Sequence, residues 1–345
     1  MLLDDSSPLV RMALARALAF SERAPPSVIL GLGGDQPEVA NWVLEHSPLL
    51  VDADLVDAVA TGRPSAQTAI ANRVALPSAV SAAIAEVGTA EACLVLVENS
   101  GAEIAPFSLD RIVERFGHLA AIREAMLARD PLPAPTRQGL VAKLSETLAG
   151  FVTARKWMPL EHAQRVAKEA CEKGTVTVAA TSCNGEIRPL IRHLRASGQL
   201  TAGLMLRALL SGNVDMFEEA LAELSDLSLS RVSALVHDRG IAGFRAVYDK
   251  AGLPACAYPA FREAVEAMRE GGFVADAGGA TRLRRRMVER VLTRCADDAL
   301  GEIEPLLTLL RRFAAEAARD EARLFCNELS ADVPEPGWAL QRAAA

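Results

Sequence analysis

Pro8-Leu-Val-Arg-Met-Ala-Leu-Ala15, Pro37-Glu-Val-Ala-Asn-Trp-Val-Leu44, Pro64-Ser-Ala-Gln-Thr-Ala-Ile-Ala71 and Glu91-Ala-Cys-Leu-Val-Leu-Val-Glu98 read as four copies of one eight-residue phrase, with starts 29, 27 and 27 residues apart. The third, sixth and seventh positions are apolar in every copy: Val10/Ala13/Leu14, Val39/Trp42/Val43, Ala66/Ala69/Ile70 and Cys93/Leu96/Val97. That spacing places all three on one helical face. Between the phrases lie the i, i+4 apolar pairs Val28/Leu32, Leu55/Val59, Val80/Ile84 and Leu109/Val113, each after a loop marked by Pro25-Pro26, Pro48, Pro77 or Pro106. Proline is tolerated at a first helical turn because its missing N–H has no helical partner there. Residues 6–117 therefore read as four helical hairpins of about 27 residues. One such hairpin cannot bury its own apolar stripe, whereas stacked hairpins share a continuous core. The fold class that follows is all-α: stacked helical hairpins, a HEAT/armadillo-like α-solenoid with shorter helices than those families use, followed by C-terminal helices.

Composition supports helix over sheet. Half of the 345 residues are apolar, only 4% are aromatic, and Ala, Leu, Val and Arg outweigh Tyr, Thr and Ile. A net charge of -7 and a pI near 5.4 describe a soluble cytoplasmic surface and argue against wholesale binding to nucleic acid or anionic lipid. Asp4 and Asp5 stand where a secretory signal would be positive, and Arg11 and Arg16 interrupt its apolar run. No uncharged, strongly apolar window is long enough for a transmembrane helix, so no membrane insertion is expected. The six cysteines, Cys93, Cys171, Cys183, Cys256, Cys295 and Cys326, form no CxxC and read as reduced thiols.

Along the chain, the joints Gly33-Gly34-Asp35, Thr61-Gly62-Arg63, Gly88-Thr89 and Asn99-Ser100-Gly101 predict helix stops with glycine at positive φ, and caps from Asp or Thr. Asn72 and Asn99 share a repeat position; they serve either as a polar ladder for a ligand or as partners of free helix-end groups. Asp130-Pro-Leu-Pro-Ala-Pro135 reads as a linker. The domains are then 1–129, an N-terminal repeat region; 136–272, a second helical region; 280–330, C-terminal helices; and 331–345, a tail. Within the second region, helices are expected at 136–155, 160–172, 185–196, 200–210, 214–224, 229–237, 241–251 and 258–270. Thr175-Val-Thr-Val178 is strand-like but has nothing to pair with, so helix or irregular chain is expected there. Asp215 followed by Glu218 has the spacing of a capping box. Long helices are expected at 281–296 and 302–329.

Two groups of stretches resemble a known family. Ser47-Pro-Leu-Leu-Val-Asp-Ala-Asp-Leu-Val56, Gln67-Thr-Ala-Ile-Ala-Asn-Arg73 and Leu96-Val-Glu-Asn99 resemble one signature of an alphaproteobacterial domain-of-unknown-function family. Gly198-Gln-Leu-Thr201, Leu206-Arg-Ala-Leu-Leu210 and Phe217-Glu-Glu-Ala-Leu-Ala222 resemble a second signature of that family. The resemblance spans about residues 5–260 and implies an all-helical, cytoplasmic bacterial protein; it transfers no activity.

No GxxxxGK[ST], HExxH, GxSxG or EF-hand loop is present, and Gly31-Leu-Gly-Gly-Asp35 lacks the Lys and hydroxyl of a phosphate cradle. His46, His118, His162, His193 and His237 each stand without a second ligand at i+3 or i+4. The reading assigns no catalytic residue, cofactor or metal. The sharpest chemical feature is Arg282-Leu-Arg-Arg-Arg-Met-Val-Glu-Arg290. On a helix, Arg282, Arg285, Arg286 and Arg290 share one side, opposite the stripe Leu283, Met287, Val288, Val291 and Leu292. Three roles compete: a solvated face paired with Glu289 and acids such as Asp297 and Asp298, a docking surface for an acidic protein segment, or contact with phosphate or nucleic acid. Self-association through the Leu283 stripe is a further expectation. The leading functional expectation is a non-enzymatic protein-interaction or scaffold module with a protein partner; nucleic-acid or phosphoanion binding through the arginine helix is the alternative.

Overall fold

The computed structural model describes residues 3, 5–183, 185–238, 241–271, 285–297 and 304–331. Among them are nineteen α-helices, one 3-10 turn at Ala255–Ala257 and no β-strand. The chain forms two compact units, Met1–Cys171 and Glu172–Ala345.

In the first unit the helices alternate between two layers. The first layer stacks α1 (Pro8–Leu18), α3 (Pro37–His46), α5 (Pro64–Ala71), α7 (Ala90–Glu98) and α9 (Ala120–Leu127), each on the one before. The second stacks α4 (Asp52–Ala60), α6 (Ser78–Val87), α8 (Pro106–Phe116) and α10 (Ala134–Ala154), while α2 (Pro26–Gly33) packs on α1 and α3. The repeated phrase thus marks the first-layer helices of a solenoid-like array. A fifth hairpin, α9 with α10, extends the array beyond Gly117. The proline-rich stretch after Asp130 lies inside this unit as the turn between α9 and α10, with Pro135 in the first turn of α10.

The apolar positions of the phrase form the seam. Val39, Val43, Ala66, Ile70, Cys93 and Val97 are fully buried, facing Leu55, Val59, Val80, Ile84, Leu109 and Val113 of the second layer. The first copy departs from the pattern: Ala13 is exposed, Val10 and Leu14 are half-buried, and Ala15 is buried instead. That copy lies on α1, whose first-layer stacking neighbour among the described residues is α3. Trp42, expected in the buried stripe, is half-buried; it stacks on His46, with Arg16 over its ring. Of the glycines at the four joints, Gly62 alone takes positive φ, at 75°. Gly101 is needed for close approach: a Cβ there would overlap the carbonyl oxygen of Val74, where Leu76 N–H donates to Gly101 O at 3.2 Å and Glu103 N–H to Leu76 O at 2.9 Å.

Arginines tie each repeat to the one before it. Arg73 donates to the carbonyls of Leu44 (2.5 Å) and Ser47 (2.8 Å) at the end of α3. Arg115 donates to Ala85 (2.7 Å) and Gly88 (2.8 Å) at the end of α6. Arg129 reaches Val97 (2.9 Å), Asn99 (2.8 Å) and Ala102 (2.8 Å) after α7. The last carbonyls of a helix lack intrahelical partners, and these guanidiniums supply them. Buried Gln67 links two further elements, donating to Val59 O at the end of α4 and accepting from Thr89 N–H at the start of α7, both at 3.0 Å.

α11 (Leu160–Thr181) carries the boundary between the units. Thr175–Val178 is its last part and is helical; Thr175 and Val176 are buried, so packing overrides the β-propensity of the run. The second unit continues with α12 (Ile187–Ala196), α13 (Ala202–Leu210), α14 (Val214–Ser225), α15 (Leu229–His237), α16 (Ile241–Lys250), α17 (Tyr258–Gly271), α18 (Arg285–Asp297) and α19 (Glu304–Ala331). α14 lies at its centre, packed on α12, α13, α15 and α16. The cap of α14 is Asn213, whose Oδ1 accepts from Met216 N–H at 3.2 Å, and not Asp215, which is already helical. An aromatic cluster of Phe217, Phe244, Tyr248, Tyr258 and Phe261 fills the interior beside it.

Candidate interaction surface

The described part of the arginine run, from Arg285 on, falls on α18. Arg282 and the side chain of Arg286 lie outside the described residues. Arg285 donates to Glu289 at 2.7 Å and to Glu321 of α19 at 3.1 Å, and these hydrogen bonds, Glu289 first, raise its already high pKa. Arg290 pairs with Glu270 of α17 at 2.7 Å; the hydrogen bond from Arg290 holds the Glu270 carboxyl below its ordinary range. Arg294 reaches Glu263 at 2.8 Å. The paired acids include Glu289 and carboxylates on both neighbouring helices, while Asp298 lies outside the described residues. Within the apolar stripe, Val288 and Val291 are fully buried, and α18 packs between α17 and α19. These two stripe positions are therefore covered within the chain; Leu283 lies outside the described residues.

The polar residues singled out from sequence have local explanations. Asn99 Nδ2 donates to the carbonyls of Ala71 (2.8 Å) and Arg73 (2.7 Å), closing the end of α5, and Asn72 donates to Glu45 at 2.6 Å. His46 Nδ1 contacts Trp42 O at 2.9 Å, within its own helix. His237 Nε2 lies 2.8 Å from Glu218 Oε1. Glu218, which the sequence suggested as a capping-box partner, and Glu263, which it did not single out, are buried carboxylates; each is met by a basic side chain, His237 for the first, Arg262 and Arg294 for the second. Burial pushes the Cys93 thiol up to about 11, so it is not a ready nucleophile. No group of three or more His, Cys, Asp or Glu side chains suited to a metal occurs among the described residues, nor any helix long and apolar enough to cross a membrane.

Exposed apolar surface is concentrated elsewhere. Of seventeen large apolar side chains exposed among the described residues, six lie between 144 and 166: Leu144, Leu148, Phe151, Trp157, Leu160 and Val166. The cause is a change in helix length. α10 has 21 residues, against 8 to 11 in α1–α9. Its first turns bury Ala134, Thr136, Gln138 and Leu140, and no residue after Leu140 is buried. The apolar pattern nevertheless continues through Leu144, 39% exposed, Leu148, 54%, and Phe151, 45%. Trp157 lies edge-on to Phe151 at 5.7 Å, and Arg155 sits over both rings at 4.4 and 5.4 Å. Large exposed apolar patches are where proteins commonly bind a partner, which makes this stretch a candidate surface. The signal was present in the sequence: the apolar spacing outlasts the length of a repeat helix.

The model of a family described as an uncharacterised protein conserved in bacteria, DUF2336, matches residues 39–301. No match was found among curated proteins or among solved structures.

Proposed function

Since the chain belongs to this family of uncharacterised bacterial proteins, we propose that it acts as a non-enzymatic protein-interaction scaffold in the bacterial cytoplasm. The observation that carries this reading is the run of exposed apolar side chains on α10 and the start of α11, held on a stacked helical base. Fold alone does not fix function, and the reading rests on that surface rather than on the solenoid-like form. Affinity capture with the full chain, compared with a Leu148→Glu/Phe151→Glu variant, tests it. The expected result is a protein partner bound by the natural chain and lost from the variant. Equal recovery by both, or no protein recovered beside a small-molecule or RNA ligand in native mass spectrometry, overturns it. Nucleic-acid or phosphoanion binding through α18 has less support, because Arg285, Arg290 and Arg294 already donate to carboxylates. Absence of a gel shift at low ionic strength removes that alternative.

A further inference from the structure

We propose that the exposed face of α12 docks an acidic segment of a protein partner; this rests on the interaction reading above but on a different surface. α12 reads Ile187-Arg-Pro-Leu-Ile-Arg-His-Leu-Arg-Ala196. Its apolar side chains, Ile187, Leu190, Ile191 and Leu194, are buried, and the helix packs on α14. Arg188, Arg192 and Arg195 follow at i, i+4 and i+7, so they share the opposite side, and all three are exposed. A rise of about 1.5 Å per residue spreads them along about 10 Å of helix, the reach of roughly three residues of extended chain.

The stripe is short of carboxylates. On α18, Arg285, Arg290 and Arg294 each have a carboxylate of their own. Among the described residues the three arginines of α12 share one, Glu223 of α14. Arg195 Nη1 lies 3.0 Å from its Oε1 and Arg192 Nε 3.6 Å from its Oε2, while Arg188 meets none. The Arg192 and Arg195 side chains nevertheless stay 60% and 53% exposed. Two guanidiniums thus converge on the two oxygens of a single carboxylate, the arrangement that grips such a group, and Arg188 continues the stripe one turn further with no anion beside it.

The chemistry of the partner follows from what the stripe already holds and from its surroundings. The resident anion is a side-chain carboxylate, so Asp and Glu of a partner fit the same donors. α12 has no Phe, Tyr or Trp on which a base could stack. A short acidic segment meets the stripe alone, whereas a nucleic acid running past it also meets a chain of net charge -7.

Fluorescence anisotropy of a labelled oligoglutamate peptide with the full chain at low ionic strength tests the proposal. Arg188→Glu/Arg192→Glu, at two exposed sites, is expected to lose about tenfold or more in affinity with unchanged helical circular dichroism. Arg23→Glu/Arg165→Glu, the same change in net charge at exposed arginines elsewhere, is expected to bind nearly as the natural chain does. Glu223→Gln removes the resident carboxylate and keeps its shape, and is expected to bind the peptide several-fold more tightly. No binding by the natural chain, equal losses in the two double variants, or no gain in Glu223→Gln overturns the proposal. So does an oligouridylate that binds more tightly than the peptide through the same two arginines. If the stripe plays no part while protein capture still depends on Leu148 and Phe151, this proposal falls and the scaffold reading stands. If the peptide binds through the stripe while capture ignores Leu148 and Phe151, the α10 surface falls and this one stands.

Discussion

Arginine both caps backbone carbonyls and pairs with carboxylates, and chosen sites in the two units set the two kinds of tie side by side. In the first unit Arg73, Arg115 and Arg129 reach back one repeat to backbone carbonyls. In the second, Arg207, Arg285, Arg290 and Arg294 meet carboxylates on neighbouring helices. A repeat array offers the same unsatisfied helix end at every step, so a donor one period later always finds one. At the second unit's sites the ties are pairs of opposite charge specific to each contact, although Arg269 there also caps Val236 O at 2.8 Å and Arg111 in the first unit pairs with Glu86 at 2.8 Å. Capping bonds to neutral carbonyls are little affected by salt, whereas exposed ion pairs are screened.

The largest expected break is in the second unit's interior. Arg207 is 2% exposed, pairs with Glu316 at 2.5 Å, lies 3.8 Å from Glu172, and sits over the Phe313 ring at 4.4 Å. Arg207→Ala leaves carboxylates with their main partner gone in a poorly solvated site, and is expected to cost about 3–5 kcal/mol. Chemical denaturation checks it; a loss below about 1 kcal/mol, the range of surface pairs, would mean that Lys173, 3.3 Å from Glu316, suffices to neutralise it. Arg207→Met tests the same point from the other side, restoring packing against Phe313 without restoring charge.

The first unit's counterpart is Arg129→Ala, which removes the donor to three carbonyls and is expected to cost about 2–3 kcal/mol. Its difference from the natural chain should persist in high salt, because the acceptors are neutral. If the difference collapses with salt, the capping account of the repeat joints is wrong and an unrecognised charge interaction holds them.

Much of the helical architecture was legible because its information is local. The apolar phrase sets the first-layer helices, and the expected second-region helices fall within a few residues of those observed, except 160–172, which continues as α11 to Thr181. Longer-range features were not legible. Arg73 and Arg129 look like ordinary polar residues until they are set one repeat length from the carbonyls they cap. The fifth hairpin was hidden because the prolines before α10 read as a linker, when one of them opens a helix. Asp215 looked like a cap because capping spacing allows a neighbouring register, and the fold selected Asn213. The α10 stripe was visible as an amphipathic helix, but exposure decides whether a stripe is core or contact surface, and exposure depends on how many neighbouring helices the fold supplies.

The smallest expected effect separates the two kinds of arginine by pH. Glu270 accepts from Arg290, and that hydrogen bond lowers its folded pKa. A carboxylate with a depressed folded pKa contributes stability that is complete above its unfolded value of about 4.3 and is lost as pH falls through the folded one. The difference in stability between the natural chain and Glu270→Gln should therefore be present near neutrality and shrink on acidification through that window. Added salt should reduce it as well, since Glu270 is 61% exposed. Arg129→Ala, measured over the same range, should show no such window, because carbonyl acceptors do not titrate. If Glu270→Gln is flat with pH while Arg129→Ala is not, the assignment of charge pairing to Arg290 and carbonyl capping to Arg129 is reversed.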